Sequence, residues 1–584
     1  MRWLTAEVST ELASQLSEAL DMPLACARVL AARGFSSAAA IKTTLFETDL
    51  TQLPDPFGLA GMHEAVERLV LAIERGERVA IFGDYDVDGV TATATLFLFL
   101  REAGLTTVEP WLPRRMREGY GLNLVSVDKM ASHGASLLIT VDCGVTSIAE
   151  ITRARELGMD VVVVDHHPPR ESRQLPPANV IVDPHLPNGA PGFEARSLCA
   201  AGLSFLVCMA LRKTLRERGA FADRPEPRLR DYLDLTALGT IADVVPLTGV
   251  NRILVRHGLD VIGQAPRPGV RALKKASGYE AQSAMSAGQV SFRLAPRINA
   301  VGRLDEAMPG FDLLTTTSPD RARELASRLD TANAERQNIE QRIFDEAMAQ
   351  AQAQCDRGCR TIVVAGEDWH KGVVGIVASR MVECFHRPSI VLALEGESGT
   401  GSGRSPDGVH LAEALARCSA HLTRHGGHSR AAGLSLDVTS LDAFREAFEI
   451  EAGQLPPEAM VPACRIDTWT LPEELDMSLA HALKRLEPFG MGNPEPVLAL
   501  KGVHAQSRLI PAKRGGSSHL KLTVAENRAL DIIGFGMGDR ASLAAAGPVD
   551  LAFHLSVETF QRQQKLSLRL KDIRQAEPVR AAAM

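Results

Sequence analysis

Short, wholly apolar runs alternate with helical stretches through the first half of the chain. The runs cover 79–82, 137–141 and 161–164. The segments between them have helical periodicity, and Gly158 ends one of them. Strands that are apolar on both faces and alternate with helices are typical of a parallel sheet covered on both sides. The pattern therefore predicts an α/β fold with a doubly wound parallel sheet.

The segment 1–60 lies before this pattern, and its first 50 or so residues look helical, with alanine and leucine at mixed spacings. A proline-rich break at 53–58 separates it from the next helix. We expect this segment to form an N-terminal helical cap on the domain that follows, which is predicted to run over 61–315.

A long helix is predicted to begin at Ser318-Pro319, because proline is favoured in the first turn of a helix. An apolar stripe then continues to about 354, with charges on the other face, and it comprises Leu325, Leu329, Ala332, Ile339, Ile343 and Ala347. A connector between domains and a partner-binding coiled coil both fit, and the irregular spacing favours a connector over 316–356. A second α/β unit is predicted over 357–458.

Period-two alternation replaces these patterns in the C-terminal segment 459–584. Apolar and polar residues alternate around 520–524, 551–557 and 566–570. Several short alternating strands indicate a small antiparallel barrel or sandwich. The last hairpin has a basic face that includes Arg569 and Lys571. This face fits contact with nucleic acid, and it also fits an ordinary solvated strand.

Composition narrows the classes of protein that remain. The chain has 584 residues, 45% of them hydrophobic, and a net charge of -7, which suits a globular protein of about three or four domains. A mild acidic excess predicts no general attraction to nucleic acid or anionic membranes, so contact with DNA requires a local basic surface. Nine scattered cysteines without metal-ligand spacing indicate reduced core residues. Without a signal segment or a long apolar run, we expect a cytoplasmic protein.

Acidic and histidine residues follow the ends of the predicted strands. After the three apolar runs come, in order, Asp84, Asp86 and Asp88; Asp142; and Asp165, His166 and His167. Because the carboxyl ends of parallel strands meet at one edge of a sheet, these side chains are predicted to converge. Crowded carboxylates repel one another, which favours a bound cation over the alternative of an ordinary acidic turn.

The residue types indicate the metal and the reaction. Neutral imidazole with several carboxylates suits Mn²⁺ or Mg²⁺. There are more ligands than one ion needs, which indicates two ions. Two such ions can hold a phosphate ester, activate water and stabilise the leaving oxygen, so the expected reaction is phosphoester hydrolysis. Glycine-rich segments at 401–405 and 425–428 offer backbone N–H groups to phosphate, although plain turns have the same composition.

Four motifs resemble, in order and spacing, those of the DHH phosphoesterase family. They are GDYDVDG at 83–89, VDCG at 141–144, DHH at 165–167 and GTIAD at 239–243. A fifth segment, GGH at 426–428 with AAG at 431–433, is similar to the DHH-associated domain of that family. The resemblance implies a parallel-sheet DHH phosphoesterase domain, a long connector helix, a second α/β DHH-associated domain and a C-terminal OB-fold-like β-barrel.

The resemblance also implies which residues bind metal. One ion is assigned to four ligands, Asp88, Asp142, His166 and Asp243. A second is assigned to Asp86 and the bridging Asp142, with Asp84 assisting. His167 is assigned either to the scissile phosphate or to protonation of the leaving oxygen, and Asp165 to orienting a neighbouring histidine.

Further residues are implied to contact DNA or its phosphates. Those of the two α/β domains are Arg115, Tyr120, Arg297, Arg303, His370, Arg404, Ser405, Gly426, Gly427 and His428. Arg569 and Lys571 are the corresponding residues of the C-terminal barrel.

Members of the family with this domain order are exonucleases that degrade single-stranded DNA from the 5′ end during repair and recombination. The resemblance therefore implies that activity in a monomer, with a single-strand-binding protein, a helicase and repair proteins as partners. One alternative is a DHH hydrolase of small phosphoesters such as oligonucleotides or cyclic dinucleotides. Another is a non-catalytic replication scaffold, against which the complete metal set argues.

Overall fold

The structure is a computed structural model that describes residues 1–114, 119, 121–169, 174–187, 189, 196–304, 306–512, 517–527, 530–560 and 563–577. The chain divides into two compact units, Leu53–Val461 and a second that combines Met1–Gln52 with Pro462–Met584. The described helices include none that is long and apolar enough to cross a membrane.

A five-stranded parallel sheet lies in the first half of the unit Leu53–Val461. Its strands, in spatial order, are Val108–Trp111, Val79–Gly83, Leu137–Val141, Asp160–Val164 and Val180–Val182. The three central strands are buried along almost their whole length. A strand that is apolar on both faces can be buried this way only between two layers of helices. The doubly wound parallel sheet predicted from the sequence is confirmed.

Helices cover both faces of this sheet. Leu124–Ser132 and Ile148–Glu156 pack on one face. Met62–Arg75, Val87–Glu102 and Ala200–Glu217 pack on the other. A helical layer follows and has its own apolar core; its helices are Leu233–Ala242, Gly249–Gln264, Pro268–Ala276, Ala287–Gln289, Ala295–Leu304 and Met308–Thr315.

One long helix, Pro319–Asp356, contributes to two cores of this unit. Ser318 caps its N-terminus, and Pro319 occupies the first turn. Leu325 lies in the core of the helical layer, whereas Ile343 lies in the core of the domain that follows. The apolar stripe is therefore buried within the chain, as predicted for a connector.

The domain after the connector is a five-stranded mixed sheet. Its strands, in spatial order, are Arg424–Gly427, Ala431–Asp437, Ser398–Arg404, Ser389–Glu395 and Ile362–Glu367, and the last two are parallel. Its helices are Val374–Phe385, Leu411–Arg417 and Leu441–Gly453. The connector helix lies along the edge strand. The side-chain amide of Gln350 bonds both the N–H and the C=O of Ala365, and Gln354 does the same with Val363.

A seven-stranded sheet dominates the other unit. Its strands, in spatial order, are Thr468–Trp469, Leu498–Val503, Val549–Phe560, Gln563–Gln575, Asp531–Gly534, His519–Val524 and Ala505–Ile510. Strand Arg2–Thr5 pairs in parallel with Ala463–Ile466. The helices of this unit are Thr10–Leu20, Leu24–Ala32, Ala38–Ile41, Met477–Lys484 and Ala541–Ala546.

The N-terminal helices share a core with the C-terminal sheet. Leu16 and Leu30 lie in one apolar cluster with Leu479 and Phe553. The indole N–H of Trp3 also donates to Asp572 at 2.7 Å. These helices therefore belong to the C-terminal unit, and the expected cap on the domain that follows stays a prediction. Helical periodicity shows that a helix has an apolar face, but it does not specify which element covers that face.

We predict that Leu30→Ala destabilises the unit that contains the C-terminal sheet. Leu30 is fully buried, and emptying such a site costs about 2–5 kcal/mol. The matched control is Leu24→Ala in the same helix, because Leu24 is 37% exposed. Calorimetric unfolding of the full chain would follow the transitions of the two units. An equal effect of the two substitutions would contradict this packing.

Candidate metal centre

Three neighbouring strands place acidic residues at the same edge of the parallel sheet. Gly83 pairs with Val141, and Val141 pairs with Val164, so these strands end in register. The residues that follow them are Asp84, Asp142 and Asp165, all of which are buried. The predicted convergence of the strand ends is thus a consequence of the parallel register.

The acidic loop, residues 84–88 between the strand Val79–Gly83 and Gly89, is held by its own backbone. Asp86 caps the helix Val87–Glu102 and accepts hydrogen bonds from the N–H groups of Asp88 and Gly89. A Cβ atom at Gly89 would lie 2.6 Å from the backbone nitrogen of Asp84. Glycine is therefore needed at this position for the loop to close around its carboxylates.

Asp88 is buried against the start of another helix. Its Oδ2 accepts from the N–H of Ala200 at 2.7 Å, and its Oδ1 accepts from the N–H of Ala201 at 2.9 Å. The first turn of a helix stabilises negative charge. Burial and the neighbouring Asp86 nevertheless raise the pKa of Asp88 to about 6.

Asp142 is the carboxylate with the most acidic neighbours. Its backbone is left-handed, with φ of 62°, a conformation that aspartate tolerates better than most residues. Burial, followed by repulsion from Asp86 and Asp88, raises its pKa well above the ordinary value. Such a site is stabilised by positive charge.

The two histidines differ in charge because Asp165 contacts only one of the rings. Asp165 accepts hydrogen bonds from the backbone N–H groups of His166 and His167, and its Oδ1 lies 2.8 Å from Nδ1 of His167. Burial lowers the pKa of His167, but Asp165 outweighs it and raises the value to about 9. Burial and the nearby His167 lower the pKa of His166 to about 4. At neutral pH, His166 can offer a lone pair, whereas His167 is a cationic donor.

His166 lies among three carboxylates. Its Nε2 is 3.1 Å from Asp142 Oδ1, 3.9 Å from Asp88 Oδ2 and 3.8 Å from Asp243 Oδ2. Burial and Asp88 raise the pKa of Asp243 to about 8. The next residue, Val244, is 58% exposed and has a φ of 58°, which is an outlier for a β-branched side chain.

The donor atoms form three groups in which all the atoms lie within 4.8 Å of one another. The groups are Asp88 with His166 and Asp243; Asp84 with Asp86 and Asp142; and Asp142 with His166 and His167. Carboxylate oxygens, alone or with the neutral imidazole of His166, suit Mn²⁺ and Mg²⁺. Burial first, and then repulsion between the carboxylates, raises the pKa values of Asp88, Asp142 and Asp243. These shifts point the same way, because a divalent cation would favour the ionised form of each group.

Two arginines predicted to bind phosphate, Arg297 and Arg303, lie on the helix Ala295–Leu304. Nε of Arg297 donates to Asp330 at 2.9 Å, and Nη1 of Arg303 donates to the carbonyl oxygen of Gly372 at 3.0 Å. The same helix contacts the acidic loop, because Asn299 Oδ1 accepts from the N–H of Val87. Arg115 and Tyr120, also predicted to contact DNA, lie outside the described residues.

The predicted phosphate-binding residues of the second domain are held by their own neighbours. Arg404 donates to Ser402 Oγ and to the carbonyl oxygen of Gly403. The Ser405 hydroxyl lies within donating distance of two carbonyl oxygens, that of Val409 in its own loop and that of Ser429 between the next two strands. Nδ1 of His370 accepts from the N–H of Gly372.

The glycine-histidine segment of that domain is exposed. Gly426 and Gly427 end the strand Arg424–Gly427, and His428 follows them. Gly427 has a φ of 146°, and a Cβ atom there would lie 2.5 Å from the carbonyl oxygen of Ala431. This tight approach explains why glycine occupies the position.

In the C-terminal unit, Arg569 pairs with Glu495, whereas Lys571 lies exposed on the same strand.

Asp183 and His185 were missed as members of this region. Asp183 follows the strand Val180–Val182, is fully buried, and accepts from the N–H of His185 at 2.7 Å. Burial raises the pKa of Asp183 to about 7. The signal was available, because the same rule that selected Asp142 and Asp165 applies to an acid after a fourth strand.

Family models match the chain in three places. They are the N-terminal domain of the DHH family at 78–240, the DHHA1 domain at 359–453 and the RecJ OB domain at 466–572. Together with the parallel sheet and the acidic strand ends, these matches define a DHH-family protein with an associated domain and an OB domain. The fold class and the family resemblance inferred from the sequence are confirmed.

Full-length relatives narrow the family further. The chain is 36% identical to the single-stranded-DNA-specific exonuclease RecJ of Escherichia coli over 95% of this chain and 96% of that protein. It is 35% identical to the RecJ of Bacillus subtilis over 98% of this chain and 70% of that protein. The crystal structure of Thermus thermophilus RecJ with Mn²⁺ matches with a TM-score of 0.83 and 32% identity, over 99% of this chain and 80% of that one. The chain belongs to the RecJ family.

We predict that Asp243→Asn raises the melting temperature of the metal-free protein at about pH 8. The folded-state pKa of Asp243 is raised from 3.8 to about 8, so its contribution to stability is present below the lower value and lost as the pH rises through the upper one. Asparagine removes that loss, and each kcal/mol gained shifts the melting temperature of a unit as large as Leu53–Val461 by roughly 1 °C, because the entropy of unfolding grows with chain length. Adding Mn²⁺ should reverse the order, because the ion stabilises the complete ligand set.

The control is Asp128→Asn, since Asp128 is exposed and paired with Arg153. Thermal unfolding in chelator and in Mn²⁺ measures both effects. A melting temperature that Asp243→Asn lowers in chelator at about pH 8 would contradict the prediction.

Proposed function

We propose that this protein hydrolyses phosphodiester bonds of single-stranded DNA from the 5′ end, releasing mononucleotides with Mn²⁺ or Mg²⁺, in DNA repair and recombination. The observation that carries the proposal is the convergence of Asp86, Asp88, Asp142, His166 and Asp243 at one sheet edge. The relatives named single-stranded-DNA-specific exonucleases support the substrate. We further propose a cytoplasmic monomer that works with a single-strand-binding protein, a helicase and repair enzymes.

In this proposal the site holds two divalent ions. Asp88, His166, Asp243 and Asp142 bind one, while Asp86 and Asp142 bind the other, with Asp84 beside them. The grouping of donor atoms supports this assignment, because Asp142 shares one group with His166, a ligand of the first ion, and another with Asp84 and Asp86. When bound, such ions polarise the phosphate and lower the pKa of water. The protein's part is to fix these carboxylates in a buried site, where a bound cation would favour their ionised form.

His167 acts on the phosphate or the leaving oxygen. Its Nδ1 lies 2.8 Å from Oδ1 of Asp165. This hydrogen bond fixes the ring and directs Nε2 away from that carboxylate. Because Asp165 keeps the pKa of His167 at about 9, the ring carries a proton at neutral pH. A charged N–H can bond a phosphate oxygen and can give up its proton as the ester bond breaks.

Selection of single strands would come from the connector and the second domain. The hydrogen bond from Arg303 to Gly372 joins the helix beside the acidic loop to a loop of the second domain. A groove bounded in this way can admit one strand and exclude a duplex. Arg303, His370, Arg404, Ser405 and the segment 426–428 would contact its phosphates, with the OB domain holding the incoming strand.

The central test is digestion of 5′-labelled and 3′-labelled DNA, single-stranded and blunt duplex, with and without Mn²⁺. We expect labelled mononucleotide at once from 5′-labelled single strands, shortened strands from 3′-labelled ones, and little product from the duplex. Asp142→Ala should lower the rate by more than about 100-fold, because losing even a residue that supports a metal ligand costs 10–100-fold.

Asp128→Ala is the matched control, because it removes an exposed carboxylate from the same domain. Full activity of Asp142→Ala would refute the two-ion assignment. Hydrolysis of dinucleotides without attack on long strands would instead favour the hydrolase of small phosphoesters.

A point variant tests the OB domain best, because residues 1–52 complete its core and a truncation would expose them. Lys571→Ala should weaken binding to long single strands and reduce the slope of log affinity against log salt by about 0.7, the value for one phosphate contact. Arg569→Ala should have a smaller effect, because Glu495 already pairs with Arg569.

Lys501→Ala provides the control, since Lys501 is exposed on another strand of the same sheet. Fluorescence anisotropy at several salt concentrations gives both affinity and slope. Identical slopes for Lys571→Ala and Lys501→Ala would assign the contact to another face.

A further inference from the structure

A cavity of about 460 Å³ lies where three elements of the larger unit meet. Phe292 lines it from the turn just before the helix Ala295–Leu304, and Pro296 lines it from the first turn of that helix. The connector helix contributes Arg336 and Glu340, and the helix Val374–Phe385 contributes Arg380. Cavities of roughly 300–1,000 Å³ are the usual size of small-ligand sites.

Phe292 projects from this wall into solvent. It is 80% exposed, although Val290 and Leu294 on either side of it are fully buried. The three residues lie in a π-helical turn, Val290–Leu294, a feature found frequently at functional sites. The buried neighbours thus fix the backbone, while the ring of Phe292 is accessible from solvent. This arrangement is expected of a side chain on which a ligand stacks.

The facing wall is polar and rigid. Arg336 is buried and bonds both Glu340 and Asn333. Arg380 donates to Glu340 at 3.2 Å and stacks on the ring of Phe344 at 3.5 Å. Two guanidinium groups against one carboxylate leave the lining positive, and the positions of both cations are fixed before any ligand binds.

The cavity is joined to the metal centre by one helix. Phe292 precedes the helix Ala295–Leu304, and at its other end a Cβ atom on Gly302 would lie 2.8 Å from the carbonyl oxygen of Tyr85 in the acidic loop. Ten residues of helix rise by roughly 15 Å. That distance is spanned by about four nucleotides at the 3.4 Å spacing of one strand of B-form DNA.

We propose that this cavity is a nucleobase subsite, in which Phe292 stacks on a base a few nucleotides to the 3′ side of the scissile phosphate. The inference rests on the proposed function, because the occupant is the substrate strand. An aromatic ring accepts any base, while the fixed guanidinium groups attract the adjoining phosphates. The subsite would hold the strand in register as its 5′ end is shortened.

The test compares a dinucleotide, which ends before the cavity, with a single strand of about twelve nucleotides. Phe292→Ala should raise KM for the longer strand by roughly 5-fold more than for the dinucleotide, at little change in kcat, since stacking on one base contributes at least about 5-fold to binding. Phe292→Trp should restore the value, because it keeps an aromatic face. Ile450→Ala is the control, because Ile450 is 68% exposed and lies on the helix Leu441–Gly453, outside the cavity lining.

A binding measurement separates this inference from the proposed function. With Asp142→Ala in the background to suppress turnover, 2-aminopurine at the fourth or fifth position should be quenched by the full chain and much less by Phe292→Ala. If the strand binds and is digested but Phe292→Ala changes neither the quenching nor the ratio of KM values, the subsite is refuted and the exonuclease stands. A parent chain that neither binds nor digests single strands would refute both.

Discussion

Mutual repulsion among buried carboxylates is the constraint on which the rest of this structure depends. Asp88, Asp142 and Asp243 carry raised pKa values because burial and their acidic neighbours oppose ionisation. Three features stabilise these negative charges. They are the backbone N–H groups at the start of a helix, the protonated His167 and a ligand set that suits divalent cations. The strands, crossovers and glycine of the acidic loop all serve to bring these charges together.

Much of this arrangement was predictable, because strand order and strand ends follow from apolar runs and from the rule of parallel crossovers. Asp142 and Asp165 were selected in this way. Asp183 follows the same rule and was missed, because its strand is only three residues long and it precedes a proline. The element that covers the N-terminal helices was not predictable, because the pattern of an apolar helix face does not specify which surface packs against it.

The hydrogen-bond partners of single side chains could not be predicted from the sequence either. The sequence predicted three arginines as phosphate ligands, namely Arg297, Arg303 and Arg404. In the structure each of them donates a hydrogen bond to a side-chain or backbone acceptor of the chain itself. Such bonds fix the orientation of a guanidinium group before substrate arrives, which reduces the ordering cost of binding. Phe292 gave no signal in sequence, because an aromatic residue beside apolar neighbours looks like a core residue until its exposure is known.

The glutamine side chains of the connector helix have a consequence for solubility. An edge strand presents unpaired N–H and C=O groups, and these can recruit a strand from another molecule. Gln350 and Gln354 occupy those groups on Ala365 and Val363 of the strand Ile362–Glu367. The two side-chain amides of the helix thus make the hydrogen bonds that a neighbouring strand would make. This edge of the sheet is therefore protected against pairing with a strand of another molecule.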